Sequence, residues 1–137
     1  MSSVLIIDDE GDVRDALALV LGRAGFDVQS VEDGEAGIEA CRKGLPDVII
    51  TDMIMPKLDG AQLIRQIKSE APDAKIVAIS GGGHFGPAAY QPAAITTHAF
   101  LAAATAAGAD RVLTKPFDAE DIVEAVRSLL QDSGHAV

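Results

Sequence analysis

The residues best suited to chemistry are acids that directly follow two short apolar runs. Asp8 and Asp9 follow the run over residues 4–7, and Asp52 follows the run over residues 48–51. Short, continuous runs rich in β-branched residues are typical of strands buried on both faces of a parallel sheet. Open α/β sheets bind their ligands at the carboxyl ends of the strands. We therefore expect these carboxylates at one functional edge of a sheet.

Carboxylates held this closely need a counter-charge. At an effective dielectric constant near 20, two of them about 4 Å apart repel each other by on the order of 4 kcal/mol. Hard oxygen ligands at a turn suit Mg²⁺, which keeps positions open for water and for phosphoryl oxygens. A neighbouring carboxylate oxygen can then attack phosphorus. The acids thus predict a Mg²⁺ site in which Asp52 is the nucleophile toward a phosphoryl group.

Residues at the ends of two further apolar runs complement the acids. Ser80 and Gly81 follow the run over residues 76–79, and Lys115 lies just beyond the run over residues 111–113. The Ser80 hydroxyl and the Gly81 amide can donate hydrogen bonds to phosphoryl oxygens, and Lys115 supplies positive charge. The predicted site therefore has acids on one side for the metal, with donors and a cation on the other for phosphate.

Segments with strand-like and helix-like apolar patterns alternate along the chain. Strands are predicted over residues 4–7, 27–31, 48–51, 76–79 and 111–113. A helix is predicted after each strand, and the connection from strand 4 to strand 5 is extended, with an alanine-rich helix expected over residues 93–107. The pattern predicts an α/β fold with a single doubly wound, five-stranded parallel sheet of flavodoxin-like order 2-1-3-4-5. Strands 1, 3, 4 and 5 are neighbours in that order, so the residues that follow them converge.

Length, charge and cysteine content limit the class of protein. The 137 residues suffice for one domain, expected over residues 1–131 and followed by a C-terminal tail over residues 132–137. A net charge of -10 disfavours direct contact with nucleic acid or with an anionic membrane surface. No apolar run is long enough to span a bilayer. Cys41 is the only cysteine, so no internal disulfide can form and a cytoplasmic location is expected.

Over essentially its whole length the chain resembles the response-regulator receiver domains of two-component systems, which are CheY-like folds. The matching residues are Asp8-Asp9, Asp52 with Met55-Pro56 and Asp59-Gly60, Ser80, and Lys115-Pro116-Phe117. Each match is a weak indication by itself. Together and in this order, each at the carboxyl end of a predicted strand or in the turn after it, the matches are specific.

The resemblance implies that Asp52 accepts a phosphoryl group from a sensor histidine kinase or a histidine phosphotransfer protein. It also implies that Asp9, Asp52 and the backbone carbonyl of Ile54 bind Mg²⁺ directly, while Asp8 acts through water. A receiver of this kind is no enzyme beyond catalysing its own phosphorylation and dephosphorylation.

By the same resemblance, Ser80, Gly81 and Lys115 sense the phosphoryl group. No output domain is expected after the last helix, and a stand-alone receiver is expected to signal through phosphorylation-dependent contact with a downstream protein target. A phosphorylation-dependent homodimer is left open as a further partner. The main alternative is a receiver-fold interaction module that is never phosphorylated. A hydrolase of the haloacid dehalogenase type is set aside, because that family has Asp-x-Asp after strand 1, where this chain has Asp8-Asp9.

Two features depart from the family pattern. Val112 stands three residues before Lys115, where the family usually has a Tyr or Phe that rotates as a switch. The connection after Ser80 is also longer than usual. One hypothesis is that residues 84–100 replace the switch ring, and the other is that they are a passive insertion. Glu10 is interpreted as a solvated surface acid, with a water-mediated contact to the metal as the alternative.

Overall fold

The computed structural model describes residues 2–53, 60–80, 102–114 and 117–134. Within them lies one parallel sheet of order β2-β1-β3-β4-β5. Its strands are β1 (Ser3–Ile7), β2 (Asp27–Val31), β3 (Val48–Asp52), β4 (Ile76–Ser80) and β5 (Arg111–Thr114). The order is the one predicted from the sequence, and β3 is buried at every position, as a central strand of such a sheet should be.

Helices alternate with the strands. They are α1 (Gly11–Arg23), α2 (Gly34–Lys43), α3 (Gly60–Glu70), α4 (described over residues 102–107) and α5 (Ala119–Gly134). The connection between β4 and β5 covers residues 81–110, and most of the predicted 93–107 helix lies outside the described residues. No helix in the described part of the chain has the length and apolar composition needed to cross a membrane.

Three helix ends have clear local causes. Just beyond α1, Gly25 has φ of 99°, a left-handed conformation that glycine adopts without strain. Asp33 caps α2, since its carboxylate accepts a hydrogen bond from the Ala36 N–H at 2.8 Å. At the start of α5, the Asp121 carboxylate accepts from the Asp118 N–H at 2.9 Å, which is one half of a capping box.

The two faces of the sheet carry separate apolar clusters. On one face, alternate strand residues pack against α2, α3 and α4: Leu5, Ile7, Ile49, Ile76 and Ala78 meet Ile38, Leu63, Ile64, Ile67, Ala104 and Ala107. On the other face, the intervening residues pack against α1 and α5: Val4, Ile6, Val48, Ile50, Val77 and Ile79 meet Leu17, Leu21, Ile122, Val126 and Leu129. Helices on both faces confirm the predicted doubly wound arrangement.

The last helix extends further than the sequence predicts. α5 continues to Gly134, whereas the tail was expected to begin at residue 132. No proline or glycine interrupts the chain between the start of α5 and Gly134, so nothing in the main chain stops the helical hydrogen bonds earlier. Residues 135–137 lie outside the described part.

Candidate functional site

The strand register brings the predicted acids to one edge of the sheet. Ile7 of β1 pairs with Thr51 of β3, so Asp8 and Asp52 are the next residues on two neighbouring strands. On the other side of β3, Asp52 pairs with Ile79, the residue before Ser80. Residues distant in sequence therefore meet because the strands that precede them are adjacent.

Four carboxylates meet at this edge. Each of Asp8, Asp9, Glu10 and Asp52 offers a carboxylate oxygen, and these four oxygens lie within 4.8 Å of one another. We call this group the acid cluster. Asp8 and Asp52 are only 1% and 5% exposed, whereas Asp9 is exposed. The acid cluster thus has a buried side against the sheet and an open side toward solvent.

Asp8 is held through three of its groups. Its backbone N–H donates to the Val31 carbonyl at 3.2 Å, which extends the β1–β2 pairing. Its Oδ1 accepts from the Glu10 N–H at 2.9 Å, a bond that tightens the turn into α1. Its carbonyl oxygen accepts from Arg14 Nη1 at 2.7 Å. The turn that carries the acids is therefore fixed by main-chain and side-chain contacts together.

Asp52 is fixed by the main chain around it. The Thr51 hydroxyl, which is fully buried, donates to the Asp52 carbonyl oxygen at 3.1 Å. The next residue, Met53, donates its N–H to the Ile79 carbonyl at 2.9 Å, and its carbonyl accepts from the Gly60 N–H at 3.2 Å. Asp52 therefore leaves the sheet at a point where the chain is held by β4 on one side and by α3 on the other.

The acid cluster fits a hard divalent cation. Its donors are carboxylate oxygens alone, the ligand type that Mg²⁺ prefers over nitrogen or sulfur. Two of the carboxylates are buried beside the others, where water screens their repulsion less, and a bound cation would offset that repulsion. Asp9, the exposed member, lies on the solvent side of the acid cluster.

Several predicted site residues lie wholly or partly outside the described residues. These are Ile54, Gly81 and Lys115, together with the side chain of Ser80. Ser80 is the last residue of β4, and its backbone pairs with that of Thr114 in β5. Thr114 directly precedes Lys115 in the chain. Their predicted roles therefore stay predictions.

Val112 lies in β5 opposite Ala78. It is partly buried and packs against the apolar cluster shared by α2, α3 and α4. Its position is therefore that of a core residue at the edge of the sheet, with no ring to rotate outward.

Two residues near the site were not assigned to it from the sequence. Glu10 was favoured as a solvated acid, yet the tight turn at Asp8 brings its carboxylate into the acid cluster. Arg14 was not singled out from the sequence, and its contact with the Asp8 carbonyl depends on the backbone path into α1.

The chain is similar in sequence to proteins of one known family. The family profile of the response regulator receiver domain matches residues 4–127. The transcriptional regulatory protein CseB of Streptomyces avermitilis is 34% identical over 133 residues, which are 97% of this chain and 51% of that protein. Response regulator MprA of Mycolicibacterium vanbaalenii is 30% identical over 93% of this chain and 50% of its own length. The chain spans about half the length of the curated relatives it matches.

Solved structures agree with these relatives. A response regulator receiver domain protein from Clostridium thermocellum superposes with a TM-score of 0.82 at 27% identity, over 100% of both chains. A putative response regulator from Chloroflexus aurantiacus gives a TM-score of 0.80 at 28% identity, over 95% of this chain and 98% of that one. The sequence match over residues 4–127, the sheet order and the acids at its edge point to the same group of proteins. The chain belongs to the response-regulator receiver family of two-component systems.

Proposed function

We propose that this receiver is a phosphoacceptor and that Asp52 is the residue phosphorylated. The single observation that carries the proposal is the acid cluster, in which a buried carboxylate at the end of the central strand has three others within 4.8 Å. A structural acid would gain nothing from such neighbours, because each adds repulsion. A nucleophile that works beside a bound cation needs them.

In the proposed reaction an Asp52 carboxylate oxygen forms a bond to phosphorus while the phosphorus–nitrogen bond of a phosphohistidine breaks. The imidazole leaves with the electron pair of that bond, and an aspartyl phosphate remains on Asp52. The donor is a sensor histidine kinase or a histidine phosphotransfer protein. Because such donors act inside the cell, we propose a cytoplasmic location for this chain as well.

Mg²⁺ is the proposed cofactor. Asp9, Asp52 and the Ile54 carbonyl would hold it, and Asp8 would act through water. When bound, the ion neutralises charge on the phosphoryl oxygens. The chain's own residues hold the carboxylates in position. Asp8 and Asp52 are kept in place by their buried main chain, so little rearrangement precedes attack.

Three further residues are proposed to meet the phosphoryl group from the side opposite the acids. Ser80 ends β4, the strand that pairs with β3 at Asp52, Gly81 is the next residue, and Lys115 follows β5. A hydroxyl, an amide and an ammonium group there would donate to the phosphoryl oxygens and balance their charge. We propose that the changed site is then sensed by a downstream protein, or by a second copy of the chain.

The experiment that tests this proposal is intact-protein mass spectrometry after incubation with acetyl phosphate and Mg²⁺. We expect a gain of one phosphoryl group in the wild type and no gain in Asp52→Asn. Asp73→Asn is the matched control, because Asp73 is an exposed acid in the turn before β4, far along the chain from the acid cluster. It should be phosphorylated like the wild type.

A second candidate function is an interaction module that keeps the receiver fold without phosphorylation. The observation that favours it is Val112, a partly buried valine that has no ring to report the state of the site. The same experiment separates the two functions. A folded wild-type protein that gains no phosphoryl group from acetyl phosphate, and none from phosphoramidate, would favour the interaction module.

A further inference from the structure

Arg14 reaches back from the first turn of α1 to the turn that carries the acids. Its Nη1 donates to the Asp8 carbonyl oxygen at 2.7 Å. Its Nη2 lies over Gly11, 3.5 Å from the point where a Cβ on that glycine would be. The Arg14 side chain is partly exposed. The guanidinium is therefore anchored at the start of α1 and beside the acid cluster, although it is no part of the proposed phosphoryl-transfer chemistry.

The carbonyl that Arg14 holds belongs to the peptide linking Asp8 to Asp9. The Asp8 N–H and the Asp8 carboxylate are already bonded, to the Val31 carbonyl and the Glu10 N–H. The hydrogen bond from Arg14 additionally fixes the rotation of the Asp8–Asp9 peptide plane. That rotation decides the direction in which the next residue leaves the chain.

Asp9 depends on this rotation more than its neighbours do. Asp8 and Asp52 are buried, so packing helps to orient their carboxylates, whereas Asp9 is exposed. An exposed carboxylate on an unconstrained peptide would sample several directions, and a bound cation would have to select one of them at a cost in conformational entropy. Fixing the peptide in advance lowers that cost.

We propose that Arg14 is a positioning residue for the divalent cation: by holding the Asp8–Asp9 peptide it directs the Asp9 carboxylate toward Asp8 and Asp52. This inference rests on the proposed function. It adds to that function a residue outside the acid cluster that sets how tightly the cation binds. Residues that orient metal ligands through hydrogen bonds typically raise the affinity for the metal tenfold to hundredfold.

The positive charge of Arg14 acts in the opposite direction. A guanidinium near a divalent cation repels it, so loss of the charge alone would tighten cation binding. Loss of the hydrogen bond would weaken binding. The direction of the change therefore distinguishes a positioning role from a purely electrostatic one.

The test is isothermal titration of MgCl₂ into the wild type, Arg14→Met and Arg14→Lys at fixed ionic strength. Arg14→Met removes both the donor and the charge at similar length, and we expect its Mg²⁺ affinity to fall about tenfold. Arg14→Lys keeps the charge and one donor, so an intermediate affinity is expected. Arg23→Met is the matched control, since it removes a positive charge from the last turn of the same helix. Its affinity should match the wild type.

A second measurement separates positioning from general damage to the fold. The urea midpoint of Arg14→Met without Mg²⁺ should fall only by what one lost hydrogen bond contributes, with a cooperative transition like that of the wild type. With acetyl phosphate, its phosphorylation rate should return toward the wild-type rate at saturating Mg²⁺, because only cation binding is impaired. If Arg14→Met fails to fold, Arg14→Lys carries the test: weaker Mg²⁺ binding than the wild type supports the inference, and equal binding overturns it.

Mg²⁺ binding that is unchanged or tighter in a folded Arg14→Met overturns the positioning role and leaves the phosphoacceptor function intact. A wild type that binds no Mg²⁺ overturns both, because there is then no cation for Arg14 to serve.

Discussion

Gly60 and Met53 are in direct main-chain contact. The Gly60 N–H donates to the Met53 carbonyl at 3.2 Å, and a Cβ placed on Gly60 would lie 2.5 Å from Met53 Cα. The same Cβ would lie 2.9 Å from the Asp52 carbonyl oxygen. The first turn of α3 therefore packs directly against the main chain of Asp52, the residue proposed to be phosphorylated. Only glycine permits that approach.

Gly60→Ala should destabilise the protein and disturb the site. A real Cβ never approaches a backbone carbon this closely, so α3 must shift away from β3. We expect a loss of about 1–3 kcal/mol in the free energy of unfolding, as for other overpacked sites, although alanine is the better helix former. Urea unfolding measures the loss, and acetyl phosphate with Mg²⁺ measures the slower phosphorylation of Asp52.

Gly22→Ala is the control for this prediction. Gly22 also lies in a helix, but a Cβ there would have no heavy atom within 4 Å. The substitution should stabilise the protein by up to about 1 kcal/mol through helix propensity. If Gly60→Ala proved as stable as Gly22→Ala, the contact with Met53 would not constrain α3.

The sheet was predictable chiefly because β1, β3 and β4 are nearly continuous apolar runs. The exact ends of the strands were harder to predict. β1 begins at Ser3 because Ser3 pairs with Asp27, and β3 ends at Asp52 because Asp52 pairs with Ile79. Such pairings belong to the assembled sheet, and a local apolar pattern does not reveal them. The convergence of Asp8, Asp9 and Asp52 followed from the strand order alone and is found as expected.

The sequence pattern did not reveal that Glu10 and Arg14 both contact Asp8. Both lie at the start of α1, where an exposed acid and an exposed base are ordinary. Their involvement depends on the path of one turn, which the Asp8 carboxylate and carbonyl set through hydrogen bonds. Side-chain to main-chain bonds of this kind depend on backbone geometry that a sequence pattern does not encode.

The partly buried ion pair between Lys68 and Asp110 should matter for stability. Lys68 Nζ lies 3.1 Å from Asp110 Oδ2, and the two side chains are 22% and 27% exposed. The same oxygen accepts from the Ile76 N–H at 2.9 Å, while Lys68 also donates to the Ala74 carbonyl at 2.7 Å. Asp110→Ala should cost about 2–3 kcal/mol because it removes the acceptor of the Ile76 amide and the carboxylate that pairs with the Lys68 ammonium.

Asp110→Asn should cost less than Asp110→Ala in the same urea measurement, since its amide oxygen still accepts from Ile76. The exposed pair of Arg42 and Glu70 is the comparison. It is bidentate, with both distances 2.9 Å, and its hydrogen bonds lower the pKa of the Glu70 carboxyl. Solvent screens it, so Glu70→Gln should change stability less than Asp110→Ala. An equal loss for the two variants would contradict the role given to burial.

Residues 84–100, which lie outside the described part of the chain, should respond to phosphorylation if they replace the missing switch ring. Addition of beryllofluoride and Mg²⁺, which mimics the phosphorylated state, should then shift their amide NMR signals. Asp52→Asn, lacking the acceptor carboxylate, should show no such shifts. Signals that stay unchanged in the wild type would mean that the segment is a passive insertion, and that Val112 marks a receiver with a different means of output.

Cys41 should react slowly with thiol reagents. It is half-buried on α2, and burial raises the pKa of its thiol, with the nearby Glu70 carboxylate raising it further. The thiolate is the reactive form, so a raised pKa moves the whole rate profile to higher pH. At pH 8 we expect iodoacetamide to react several-fold more slowly with the folded protein than with the urea-unfolded chain.

Two variants test the electrostatic contribution of Glu70 to the reactivity of Cys41. Glu70→Gln should speed the reaction by removing a negative charge. Arg42→Gln should slow it, because the Glu70 charge then lacks its guanidinium partner. Equal rates in both variants would show that Glu70 has no electrostatic effect on the thiol.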